Sequence, residues 1–101
     1  MTLRHRALHA LRWAVLGHTH DRAAVEAAAV VLRTAPDEID ADEPEIRADA
    51  LELLEREVAN VDKPRPAREQ AAALAAIRAA EVILAHTRPA DTLAAVTRRT
   101  A

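Results

Sequence analysis

A chain of 101 residues, half of them hydrophobic and 30% charged, has room for one modest core and lacks the polar excess of a disordered segment. It holds no cysteine, no serine, one glycine, five prolines and a single aromatic residue, Trp13. That excludes disulfide staples, thiolate metal sites, serine nucleophiles, glycine-rich phosphate loops and an all-β fold built on hairpin turns.

The first helix is predicted from Thr2 or Leu3 to Leu16, with Leu3, Ala7, Leu11 and Ala14 on one stripe and Ala10 and Val15 beside it. Gly17 supplies a left-handed cap. Thr19 is the expected N-cap of a second helix, with Asp21 in its first turn, where negative charge is favoured. That helix is expected to bury Ala24, Val25, Ala28, Val31 and Leu32, to present Arg22, Glu26 and Arg33 on the opposite face, and to stop at Pro36. Residues 36–42 read as an acidic loop with room for one helical turn around Ile39. Asp42 to Glu45 resembles a capping box, Asp42 as N-cap and Glu45 reaching back.

A third helix follows, to about Asn60. Leu51, Leu54, Val58 and Val61 recur along it at heptad spacing, with Ile46, Ala50 and Leu53 alongside and Glu45, Asp49, Glu52 and Arg56 on a solvated face. Lys63-Pro64-Arg65-Pro66 is a stiff break, because each proline disfavours helix in the residue before it. From Arg68 to Arg88 the chain is a fourth helix. Between Ala71 and Ala85 its only charges are Arg78 and Glu81, and most other positions are alanine. Alanine has the best helix propensity, and a helix apolar nearly all round belongs inside an assembly of helices. After Pro89 a short fifth helix carries Leu93 and Val96 and ends in Arg98 and Arg99. The expected fold is a single all-α domain over residues 1–101: a compact up-down bundle of four main helices plus a short C-terminal one. Residues 23–32 also echo residues 75–84, which would make the chain two helical hairpins; alanine-rich helices align by chance as well, and both readings stand.

The net charge of −2 conceals a segregation, with +3 over residues 1–35, −9 over 36–62 and +4 over 63–101. Neutralisation within the fold or between subunits is its first explanation. His5 and His9 lie one helical turn apart, a spacing that can hold a metal, and His18 and His20 flank Thr19. His9 and His18 are about 14 Å apart along a helix at ~1.5 Å per residue, so the histidines alone gather no three ligands in one subunit and read as helix-surface and cap-region groups. Asp37, Glu38, Asp40, Asp42 and Glu43 lack the glycine and terminal glutamate of a calcium loop and read as solvated. No cofactor, metal or small-molecule substrate is expected, and the chain is not read as an enzyme.

Trp13 lies off the main stripe and either caps the core edge or anchors a partner, since tryptophan is enriched at interface hot spots. Leu8, Leu16, Leu53 and Val30 also sit beside the main stripes, more apolar surface than one short bundle hides. The expected function is therefore a non-catalytic protein–protein interaction or assembly module, a homo-oligomer with Trp13, Leu16, Leu51, Leu54 and Val58 at its interface. The alternative is a small DNA-binding regulator that uses Arg4, Arg6 and Arg12 of the first helix with Arg98 and Arg99. His9 and Arg12 interrupt the apolar start, no run reaches the ~20 apolar residues of a membrane span, and the expected location is the cytoplasm. The arginine and alanine bias fits a GC-rich coding sequence, as in a high-GC bacterium or its phage.

Overall fold

A computed structural model describes residues 2–18, 21–34 and 41–89, which form four α-helices and no strand. These are α1 (Leu3–Val15), α2 (Arg22–Thr34), α3 (Glu43–Ala59) and α4 (Ala67–His86). The expected fifth helix, the acidic turn at Ile39 and the Thr19 cap lie outside the described residues.

Local chemistry sets the ends. The Thr2 hydroxyl accepts from the His5 amide at 3.0 Å and caps α1. Gly17 takes a φ of 82°, the left-handed conformation that ends the helix cleanly. At α2 the carboxylate of Asp21 accepts from the Ala24 amide at 3.2 Å, so Asp21 stands just before the helix and bonds its third amide, a cap position expected of Thr19. Asp42 is the N-cap of α3 by position, yet it has helical backbone angles and makes no side-chain cap bond. The Asp42 side-chain half of the capping box does not form; the Asp42 carboxylate turns to His9 instead.

Long-range contacts give the helix directions. Arg4, at the start of α1, reaches Glu43 at the start of α3 and the His86 carbonyl at the end of α4. Leu16 shares a cleft with Leu53, Ala72 and Ala73, at the far end of α3 and the near end of α4. So α1 runs with α3 and against α4. The two middle helices are α1 and α4; α2 and α3 pack on both of them and scarcely touch each other. The Cα envelope is flat, 40 × 35 × 18 Å.

The core is Leu8, Leu11, Ile46 and Ile83, fully enclosed, set among Ala14, Ala50, Ala75, Ala79 and Ala80. Small side chains let the helix axes approach toward the lower end of the ~8–10 Å range, which is how a core without aromatic residues fills its space. Three expected stripes hold in part and are shifted at particular residues. On α1 the buried set is Arg4, Ala7, Leu8, Leu11, Ala14 and Val15, while Leu3 is 63% exposed and Ala10 is exposed. On α2, Ala29 is buried and Ala24 is exposed. On α3 the core face is Glu43, Ile46, Ala50 and Leu53, while Val58 and, in the turn after the helix, Val61 are 74% and 76% exposed.

Candidate functional site

One end of the bundle is a buried polar junction. Arg4 donates to Glu43 at 2.7 Å, with both side chains almost fully enclosed, and also to the His86 carbonyl. Arg47 of α3 donates to the carbonyls of Leu84 (2.8 Å) and Thr87 (2.9 Å) and to the Thr87 hydroxyl (2.9 Å), which itself donates to the Ile83 carbonyl. Two guanidinium groups thus cover the open carbonyls and negative dipole end of α4, where cations are favoured. Arg47 Nε is the one buried side-chain nitrogen without a hydrogen-bond partner among the described residues. Glu43, read from sequence as part of a solvated acidic cluster, is instead the counter-charge of a buried arginine.

Immediately beside this junction the structure draws together His5, His9 and Asp42. Their nearest ligand atoms all lie within 4.8 Å of one another, and all three residues are partly exposed. The imidazole centroids of His5 and His9 are 4.1 Å apart, and His9 Nε2 is 3.0 Å from Asp42 Oδ2. The i, i+4 histidine spacing was visible in the sequence. The third group was not, because Asp42 arrives by helix packing from 33 residues downstream.

The charge segregation is answered in part inside the fold. Besides Arg4–Glu43, Arg12 pairs with Asp49 at 2.6 Å, Arg65 with Glu57 at 2.8 Å, and Arg78 with Glu26 at 2.6 Å. Of the arginines expected at a nucleic-acid surface, Arg4 is buried and Arg12 paired, Arg6 is exposed, and Arg98 and Arg99 lie outside the described residues. The Arg78 hydrogen bond is the main cause holding the Glu26 carboxyl below its ordinary pKa, against desolvation and helped by the charges of Arg78, Arg22 and Arg33. A carboxyl depressed in the folded state stabilises above the unfolded pKa and loses that contribution as pH falls through the folded value. Glu26→Gln is therefore expected to lower urea stability at neutral pH, with the difference from wild type closing as pH falls through the acid range below the ordinary carboxyl pKa of ~4.3. A difference that persists unchanged there would remove the ion pair as its cause.

The expected interface residues separate into two groups. Trp13 is 56% exposed, so it does not cap the core edge; its indole lies 4.3 Å from the His18 ring, with Leu16 exposed near it at the end of α1. Val58 is exposed on α3, Leu51 is half-buried, and Leu54 is half-buried and packed against the core. Val61, in the turn that follows α3, and Ile77 of α4 line one small cavity, and Leu74 is one turn before Ile77 on the same helix flank. Leu74 is also one turn from Arg78, which bridges to Glu26 of α2, and exposed Val30 is one turn beyond Glu26. Val30, Leu74, Ile77, Val58 and Val61 are thus placed across α2, α4 and the end of α3 as an apolar band that the Arg78–Glu26 ion pair interrupts between α4 and α2.

At the other end of the bundle a cleft of about 210 Å³ has a floor of Val15, Leu53, Ala72, Ala73 and Ala76 and a rim of Arg56, Glu57, Arg65 and Glu69. It is smaller than the ~300–1,000 Å³ usual for a small-molecule site. Among the described residues no helix is long and apolar enough to cross a membrane. No protein-family model, curated protein or solved structure matches the chain.

Proposed function

We propose that this chain is a non-catalytic assembly module that pairs with a second copy of itself through the α2–α4–α3 face. The observation that carries the reading is the exposure of Val58 and Val61 beside Leu74 and Ile77 of α4. Apolar surface that exceeds scattered single residues marks a contact site. A second copy fits the band for two reasons. The face belongs to a slab 40 by 35 Å across, which offers more than the roughly 800 Å² per partner that a stable pair needs. Its charges are also self-complementary: Arg78 and Glu81 sit 3.8 Å apart on α4, the middle helix of the face. A two-fold axis passing near them sets each Arg78 opposite the Glu81 of the other copy.

Light scattering across a concentration series tests this. Wild type is expected at twice the monomer mass, and Val58→Asp or Leu74→Asp at the monomer mass at the same concentration, with helicity unchanged by circular dichroism. Trp13→Ala is expected to leave the mass alone, because Trp13 lies on α1 and outside the band. A wild type that stays monomeric at millimolar concentration overturns the proposal. Dissociation by Trp13→Ala with Val58→Asp still paired would move the interface to the other face.

A further inference from the structure

The geometry points to a transition-metal site of the zinc class formed by His5 and His9 of α1 and Asp42 at the start of α3. This inference is independent of self-association and uses residues outside the apolar band. Two imidazoles and one carboxylate are a borderline donor set, suited to zinc, cobalt or nickel and poorly matched to magnesium or calcium, which take all-oxygen cages. Histidines at i and i+4 present their rings on one helix face, the arrangement zinc-binding helices use. The donor atoms lie within 4.8 Å of one another. A tetrahedral ion about 2.0–2.1 Å from each donor needs them roughly 3.3 Å apart. Rotation of half-exposed side chains, with no movement of helices, covers that difference.

The backbone under the site is fixed by a separate feature. Arg4 and Glu43 are the chain neighbours of His5 and Asp42, and their enclosed ion pair at 2.7 Å ties the start of α1 to the start of α3 at that point. The position of Asp42 relative to the two histidines is therefore set before any ion arrives, which lowers the ordering cost of binding. His9 and Asp42 already share a 3.0 Å polar contact that an ion would replace with two metal–ligand bonds. Three protein ligands leave a fourth position for water or for a donor from another molecule. The bound ion would clip α1 to α3, so folding stability rises with free metal.

Calorimetric titration of chelator-treated full-length protein with zinc chloride tests the site. The expected result is one ion per chain, with the melting temperature rising by about 10–20 °C at a hundredfold excess over Kd. His5→Asn, His9→Asn and Asp42→Asn should each weaken binding by more than the ~10–100-fold typical of losing only a supporting group. His18→Asn and His86→Asn should stay within about twofold of wild type, and circular dichroism reports whether each variant keeps its helices. Cobalt in place of zinc gives a second readout on the unmutated protein: intense visible ligand-field bands are expected for a four-coordinate site. Absence of heat and of cobalt bands at millimolar metal overturns the inference. So does binding that survives both His9→Asn and Asp42→Asn, which would place the ion elsewhere.

Discussion

Glu43→Ala is expected to destabilise the fold by about 3–5 kcal/mol, because it strands the Arg4 guanidinium in a site with almost no access to water. A guanidinium cannot escape by losing its proton at any ordinary pH, so the cost falls on the folded state in full. At roughly 4–8 °C per kcal/mol for a domain of this size, the melting temperature should drop by more than about 10 °C. The reciprocal change, Arg4→Met, removes the charge but also the donor to the His86 carbonyl, and it leaves the enclosed Glu43 carboxylate without its arginine. The double variant Arg4→Met/Glu43→Leu should recover much of the loss, since a well-packed apolar pair avoids burying two charges. Chemical denaturation of the four proteins closes the cycle. A Glu43→Ala cost below about 1 kcal/mol would mean that water reaches the junction and that the pair is no more than a surface contact.

That same pair explains what the sequence conceals. Helix existence is legible because the signals are local: Gly17 and the prolines at 44, 64, 66 and 89 punctuate the chain, and the alanine run from Ala71 to Ala85 leaves no competing structure. Helix orientation is less legible, and two of the three shifted stripes depart for one physical reason. The buried face of α1 is Arg4, Ala7, Leu8, Leu11, Ala14 and Val15, and that of α3 includes Glu43, Ile46, Ala50 and Leu53. Each begins with a charge, so periodicity starts the α1 stripe at the exposed Leu3, keeping Ala7, Leu11 and Ala14 but missing Arg4 and Leu8, and centres α3 on Leu51-Leu54-Val58-Val61. Only the partner, 39 positions away in the chain, makes such a charge admissible inside. The histidine–aspartate trio escapes notice on the same grounds. His5 and His9 give a local signal, but Asp42 becomes their neighbour only once α3 docks on α1. On α2 no buried charge is involved, and the exchange of Ala24 for Ala29 reflects the weak preference among adjacent alanines about which way to face.

The shifted stripe on α1 yields the second large effect, and it separates the two stripes directly. Leu8→Ala is expected to cost about 3–5 kcal/mol, the upper part of the usual range for a buried leucine, and Leu3→Ala less than about 0.5 kcal/mol. Leu8 has no exposed surface, whereas Leu3 is 63% exposed. The upper end is expected because of what lines this core. Cavity cost depends on how far the walls relax, and the core cluster that holds Leu8 is rich in alanine: Ala14, Ala50, Ala76, Ala79 and Ala80 are almost wholly buried in it. An alanine side chain has no rotamer with which to swing into a hole, so the void left by Leu8 can close only if whole helices move. Leu8→Met, which nearly conserves volume, should cost less than about 1.5 kcal/mol. If instead Leu3→Ala proves the costly change and Leu8→Ala the mild one, α1 is rotated from the orientation described, and the Arg4–Glu43 junction beside it cannot stand.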